Sequence, residues 1–125
     1  MRVFVALVLV LFAGGACNEV CPVAQGPAPG CVRSAVGAPN QLLVVLTPEC
    51  GIFDQDVDVR SVVSGNLYTM HADAEGRTVA LGVATFGEDE LVFSYGDGCK
   101  THFCAHVAAG GPGRECTSFG EGSPR

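Results

Sequence analysis

Short segments in which apolar and polar residues alternate recur through the middle of this 125-residue chain. Residues 56–60 read Asp-Val-Asp-Val-Arg, so Val57 and Val59 point to one side of an extended chain and the charged residues to the other. Residues 42–47 form an uninterrupted apolar run that ends at Pro48, as a buried strand does. No segment after residue 16 has the spacing of an amphipathic helix. The pattern therefore predicts strands and not helices.

Three further strands are predicted downstream. Their inward-facing residues are Val79, Leu81 and Val83 in residues 77–86, Leu91, Phe93 and Tyr95 in residues 90–95, and Phe103, Ala105 and Val107 in the last run. Clusters of turn-forming residues at 64–66, 75–76, 87–89 and 96–98 separate the strands. Turns about every 8–12 residues are typical of an antiparallel sandwich or barrel. The sequence therefore predicts an all-β domain.

Residues 93–98 read Phe-Ser-Tyr-Gly-Asp-Gly. This stretch resembles the aromatic-rich strand and Gly-Asp-Gly turn of PKD-type immunoglobulin-like modules. The resemblance covers six residues, and a tight hairpin favours Asp-Gly in any fold because the turn needs residues that tolerate positive φ. It implies a small antiparallel immunoglobulin-like sandwich. We therefore expect a disulfide-stapled sandwich or barrel that follows an N-terminal signal helix.

The N-terminus has the pattern of an export signal. Arg2 gives a positive start, and residues 3–13 are apolar and uncharged, a run too short to span a bilayer as a helix of about 20 residues. The small residues at 14–16 then lead directly into Cys17. The alternative is a buried helix of the mature domain, but a charge-free run at the extreme N-terminus that ends in small residues is typical of a signal peptide. Residues 1–16 are therefore predicted to be removed.

The sequence Gly15-Ala16-Cys17 resembles the lipobox of bacterial lipoprotein precursors, in which the cysteine is acylated and becomes the new N-terminus. The resemblance covers the first 17 residues and departs from the usual pattern at Gly14, where a Leu-like residue is typical. Gly14 and Ala16 also suit an ordinary signal peptidase that cuts at the same place. The resemblance implies export to the bacterial cell envelope and membrane attachment through lipid on Cys17. Without acylation, the protein would be periplasmic or secreted.

The chain has seven cysteines: Cys17, Cys21, Cys31, Cys50, Cys99, Cys104 and Cys116. An odd number in an exported protein leaves one thiol without a partner in its own chain. Acylation of Cys17 would leave six cysteines, enough for three disulfides in an oxidising compartment. Among the many possible connectivities we expect Cys21–Cys31, Cys50–Cys99 and Cys104–Cys116. Three disulfides would be decisive for the stability of a chain this small.

Composition divides the mature chain into three parts. Residues 17–40 contain four of the seven prolines and are predicted to be a Pro/Gly-rich tether. Residues 41–108 contain nearly all the β-branched and aromatic residues and are predicted to be the β-domain. Residues 109–125 include Gly110-Gly111-Pro112-Gly113 and are predicted to be a flexible C-terminal tail that a disulfide of Cys116 fastens to the domain.

The charge and the missing motifs exclude several functions. The formal net charge is −6, and loss of Arg2 with the signal peptide makes it −7. Such acidity disfavours nucleic acid and direct binding to an anionic membrane surface. Ser64-Gly65 lacks the flanking glycines of a nucleophile elbow, and no glycine-rich loop has the context of a phosphate site. We therefore expect no enzymatic activity and no cofactor.

The densest group of chemically active side chains lies in residues 99–106. On a strand, His102, Cys104 and His106 share one face, and together with His71 they offer the nitrogen and sulfur ligands that zinc and copper favour. The alternative is that Cys104 forms a disulfide and the histidines face solvent, which an oxidising compartment favours. Residues 54–58 imitate the start of an EF-hand loop, but the Gly and Glu required further on are missing.

Three functions remain open. The first is a lipid-anchored envelope protein with a non-enzymatic structural or binding β-domain, whose protein or small-ligand partner the sequence does not identify. The second is an envelope metal-binding protein that uses His71, His102, Cys104 and His106. The third is an unlipidated, secreted protein that uses Cys17 to form a disulfide-linked dimer.

Overall fold

The alternating segments form strands in the computed structural model, which describes residues 24–117. Nine strands and two short 3₁₀ turns, Pro29–Cys31 and Pro48–Cys50, make up this part of the chain. The strands are β1 Val32–Val36, β2 Gln41–Leu46, β3 Gln55–Ser61, β4 Leu67–Ala72, β5 Leu81–Ala84, β6 Glu88–Tyr95, β7 Thr101–Ala108, β8 Gly111–Pro112 and β9 Arg114–Glu115.

The strands form two antiparallel sheets that face each other as a sandwich. One sheet has five strands in the order β4-β3-β6-β7-β9, and the other has four in the order β5-β2-β1-β8. Every strand pair is antiparallel. The predicted all-β antiparallel sandwich is therefore confirmed, and the two separate sheets exclude the barrel among the described residues.

The core lies between the sheets and contains most of the residues that the alternation assigns to it. Val57, Val59 and Leu91 are fully buried, and Phe93 stacks on Phe103 with 4.7 Å between the ring centroids. Tyr95 lies edge-on to Phe103, and burial raises the pKa of its hydroxyl. One residue that the alternation predicts to be buried in the core is exposed.

That residue is Val79, which is 87 % exposed. Strand β5 begins only at Leu81, so the predicted strand over residues 77–86 is shortened to four residues. The segment before it is occupied by a turn in which the N–H of Asp73 donates to the carbonyl of Arg77. Val79 therefore precedes the paired part of the strand.

The sandwich includes residues that the composition assigned to the tether. Strand β1 lies within residues 17–40 and pairs with β2 over its full length. Val32 and Ser34 are buried, and Ser34 Oγ donates a 2.6 Å hydrogen bond to the carbonyl of Ala108 in the opposite sheet. The β-domain therefore starts before residue 41. Pairing with β2 and this hydrogen bond supply order that the local Pro/Gly composition does not reveal.

The start of the predicted tail is also part of the sandwich. Strand β8 pairs with β1 in one sheet, and β9 pairs with β7 in the other, so residues 111–115 close one side of the sandwich. Gly113 makes this crossing possible, since a Cβ at that position would lie 2.7 Å from the carbonyl oxygen of Pro29. The flexible tail does not begin at residue 109.

Disulfides join the flanks to the sheets. Cys31 is bonded to Cys50, which links the two 3₁₀ turns, and Cys104 is bonded to Cys116, which fastens the end of β9 to β7. The expected Cys104–Cys116 bond is confirmed. The expected Cys21–Cys31 and Cys50–Cys99 bonds are wrong, because the two 3₁₀ turns pack against each other and bring Cys31 and Cys50 together.

The predicted signal peptide, Cys17, Cys21 and residues 118–125 lie outside the described residues. Within residues 24–117, no helix has the length and apolar character needed to cross a bilayer.

Candidate functional site

All three histidines lie on the outer face of the five-stranded sheet. His71 is on β4, and His102 and His106 are on β7, where they alternate with the buried Phe103 and Ala105. The predicted shared face of His102, Cys104 and His106 is therefore confirmed. Strands β3 and β6 separate His71 from the other two histidines.

Each exposed histidine has its own hydrogen-bond partner. His71 Nδ1 lies 2.9 Å from Asp56 Oδ1 on the neighbouring strand, and both side chains are mostly exposed, at 64 % and 70 %. His102 Nδ1 lies 2.9 Å from Ser94 Oγ. An ion pair this exposed contributes little to stability. Both histidines therefore behave as solvent-facing sheet residues.

His106 has a different environment, because carboxylates contact both of its ring nitrogens. Its Nε2 lies 3.0 Å from Glu88 Oε1, and its Nδ1 lies 3.4 Å from Glu90 Oε2. Only 18 % of the His106 side chain is exposed. The two contacts fix the orientation of the ring.

Glu90 is a buried carboxylate on this outer face. Its side chain is 8 % exposed, and Thr117 lies against it. The N–H and the hydroxyl of Thr117 donate to Glu90 Oε2 over 2.8 and 2.7 Å. The sequence places Glu90 at the start of a predicted strand, but it does not predict the burial of its side chain, which depends on Thr117. In the structure, β6 begins at Glu88.

The four predicted metal ligands do not converge on one point. Cys104 is oxidised in the Cys104–Cys116 disulfide, so it offers no thiolate, and His71 lies across the sheet from β7. Among the described residues, ligand atoms of Glu90, Cys104 and Cys116 form a different group, with all three atoms within 4.8 Å of one another. His106 adjoins this group through Glu90.

The carboxylates suggested by the EF-hand-like pattern are also dispersed. Asp56 and Asp58 lie on β3 as exposed residues of a strand, as the alternation predicts. Asp89 points inward and is buried, where Ser61 Oγ donates to it. Residues 87–89 are therefore only partly a turn.

Several clefts border the outer face. A cleft of about 430 Å³ lies beside the Cys104–Cys116 disulfide, between residues 25–29 and β9. Smaller clefts of about 180 Å³ and 230 Å³ lie between Val63 and His106 and beside His71. In the larger cleft the N–H of Gly26 donates to the carbonyl of His102, so the chain enters the sandwich beside the start of β7.

Exposed apolar side chains gather at the other end of the sandwich. Strand pairing puts the end of β1, the β3–β4 turn and the β5–β6 turn at the end where β7 finishes. We call the exposed side chains there the apolar pole: Val36, Val62, Val63, Leu67 and Phe86. Phe86 is 87 % exposed. Exposed apolar side chains that gather at one place on a protein are typical of an interaction site.

All five described cysteines are in disulfides. Cys31, Cys50, Cys104 and Cys116 pair with one another, and Cys99 is also disulfide-bonded.

Comparison of the chain with protein-family models, with curated proteins and with solved structures finds no match.

Proposed function

We propose that this chain is an exported, non-enzymatic binding module of the bacterial cell envelope, anchored by lipid on Cys17, that holds a protein partner with its apolar pole. One observation carries the proposal. The apolar pole lies at the end of the sandwich opposite to the point where the chain enters it, beside His102. A module of this shape is suited to anchoring at one end and binding at the other.

The cysteine arithmetic supports the anchor. Two disulfides join described cysteines, and the bond of Cys99 is a third. Three disulfides account for six of the seven cysteines. With Cys17 acylated, the other six cysteines are enough for three disulfides, and Cys17 directly follows the signal-peptide pattern.

The anchor position argues for a protein partner and against lipid. From Cys17 to Gln25 the chain reaches at most about 28 Å, so an acylated Cys17 holds the entry end of the sandwich near the bilayer. From His102 to the end of β7 at Ala108 is roughly 20 Å of strand. The apolar pole therefore projects away from the membrane, towards other proteins of the envelope.

The chemistry of the apolar pole defines the partner. Its most exposed side chain, Phe86, fits an apolar pocket, and the exposed Glu88 and Arg60 flank the pole with one charge of each sign. The buried Asp89 accepts the N–H of Val63 and so fixes the β3–β4 turn before binding. A turn that is already ordered lowers the entropic cost of association. The expected partner has an apolar pocket with a polar rim.

Site-specific photo-crosslinking in the native cell tests the binding surface. A photoreactive residue in place of Phe86 is expected to capture one envelope protein, identified by mass spectrometry. The same residue in place of Glu75, an exposed position at the opposite end, is the matched control and is expected to capture none. Equal capture at both positions, or capture of lipid alone at position 86, would contradict the proposed partner face.

Detergent-phase separation tests the anchor. The wild-type protein is expected in the detergent phase, and Cys17→Ser is expected in the aqueous phase as a folded domain. A wild-type protein that stays aqueous and runs as a disulfide-linked dimer would instead support the unlipidated secreted form.

A further inference from the structure

A cluster of metal-ligand atoms surrounds one disulfide on the outer face of the five-stranded sheet. The sulfurs of Cys104 and Cys116 and a carboxylate oxygen of Glu90 lie within 4.8 Å of one another, and His106 Nδ1 lies 3.4 Å from Glu90 Oε2. We propose that reduction of the Cys104–Cys116 disulfide opens a Zn²⁺ site formed by two thiolates, the Glu90 carboxylate and the His106 imidazole. This site goes beyond the proposed binding function and does not depend on it.

The disulfide controls the site because thiolates, and not disulfide sulfurs, are the ligands of zinc. A dithiol reductant transfers two electrons and two protons to the Cys104–Cys116 bond, which breaks to give two thiols while the reductant closes its own disulfide. Zn²⁺ then binds both sulfurs and releases two protons. Oxidation returns the protein to the closed, metal-free form.

The distance between the nitrogen and oxygen ligands already suits zinc. Zinc binds histidine nitrogen and carboxylate oxygen at about 2.0–2.2 Å in a tetrahedral arrangement, which puts those two atoms about 3.3 Å apart. His106 Nδ1 and Glu90 Oε2 are 3.4 Å apart. The two sulfurs must separate to about 3.8 Å, given Zn–S bonds of about 2.3 Å, and rotation of the two cysteine side chains after reduction permits this.

The surroundings of the ligands support the same assignment. The Nε2 of His106, the nitrogen that faces away from the cluster, lies 3.0 Å from the Glu88 carboxylate. A carboxylate that holds the outer nitrogen of a metal-binding histidine is a recurrent feature of zinc sites, where it orients the ring. The imidazole is therefore orientated before any metal arrives. The N–H and hydroxyl of Thr117 donate to Glu90 Oε2, so zinc replaces those hydrogen bonds when it binds this oxygen.

The other two histidines serve as controls. His102 is on the same strand face, but its Nδ1 is engaged with Ser94 Oγ, and His71 is held by Asp56 two strands beyond β6. Neither residue belongs to the cluster. Substitution of either is expected to leave zinc affinity unchanged.

Cobalt titration of the purified full-length protein tests the proposal, because Co²⁺ reports thiolate ligands by charge-transfer absorption. The dithiol-reduced protein is expected to bind one equivalent with two thiolates, and Zn²⁺ is expected to displace it. The oxidised protein is expected to bind none at this site. His106→Gln and Glu88→Gln are each expected to weaken binding at least about tenfold, and His102→Gln is expected to have no effect.

A variant that needs no reductant covers the case in which reduction unfolds the domain. Cys116→His removes the disulfide and leaves Cys104, Glu90, His106 and the new imidazole around the same point, with the other disulfides intact. It is expected to bind one Zn²⁺ under oxidising conditions. No stoichiometric metal on this variant, or equal losses of affinity for His102→Gln and His106→Gln, would overturn the proposal.

Discussion

Ser61 Oγ donates a 2.6 Å hydrogen bond to Asp89 Oδ2 in the interior of the sandwich, where both residues are at most 1 % exposed. The other oxygen of Asp89 accepts the backbone N–H groups of Val63 and Glu90. One buried carboxylate therefore ties the β3–β4 turn to the start of β6. It also positions part of the apolar pole.

Asp89→Ala is expected to destabilise the protein by about 1–3 kcal/mol, because it leaves buried donors without an acceptor. Ser61→Ala removes one donor and is expected to cost less, about 1 kcal/mol. Urea unfolding of the two variants measures both values. A larger loss for Ser61→Ala than for Asp89→Ala would contradict the central role of the carboxylate.

Each described disulfide is expected to stabilise the sandwich by about 3 kcal/mol, since the two loops span 19 and 12 residues. The double variants Cys31→Ala/Cys50→Ala and Cys104→Ala/Cys116→Ala isolate the two bonds. Thermal unfolding with and without reductant tests their combined effect, and reduction is expected to lower the melting temperature of the domain. A melting temperature that reductant leaves unchanged would show that the sheets are stable without them.

Phe93→Ala is expected to cost about 3–5 kcal/mol, because Phe93 is fully buried and stacks on Phe103. Phe86→Ala is the matched control, since Phe86 is 87 % exposed, and it is expected to change stability by less than about 0.5 kcal/mol. Chemical unfolding of both variants distinguishes a buried core position from an exposed position of the apolar pole. Comparable losses of stability in the two variants would mean that the Phe86 side chain is packed in solution.

The turn after β4 makes the free energy of unfolding depend on pH in the acidic range. Hydrogen bonds from the backbone N–H groups of Arg77 and Glu75 hold the pKa of Asp73 below its ordinary value of 3.8. The ionised form is favoured in the folded state, so its contribution is complete above pH 3.8 and is lost as pH falls through the folded pKa. The difference in unfolding free energy between wild type and Asp73→Asn is expected to shrink on acidification. A difference that stays constant with pH would contradict this.

The sequence predicts those parts of the fold that depend on local alternation. Strands β2, β3, β6 and β7 follow from the spacing of their apolar residues, because a strand exposes alternate side chains to opposite faces. Strands β1, β4, β8 and β9 were not predicted. Strand β4 is ordered by pairing with β3, and β1 pairs with a segment as distant as Pro112. The Cys31–Cys50 pairing likewise follows from the tertiary packing of two turns.

The candidate site was predictable in part for the same reason. The common face of His102, Cys104 and His106 follows from their spacing along one strand. The role of Glu90 does not, since its burial depends on Thr117, which is 27 residues away. The mismatch between residues 87–89 as turn formers and Glu88–Tyr95 as a strand shows that pairing with β7 overrides local turn propensity.

Intact mass of the protein purified from its native membrane tests the central proposal most directly. The expected mass is that of a chain that begins at Cys17, carries acyl groups on that residue, and lacks the six hydrogens lost to three disulfides. A mass without acyl groups and with a free or intermolecularly bonded Cys17 would contradict the lipid anchor.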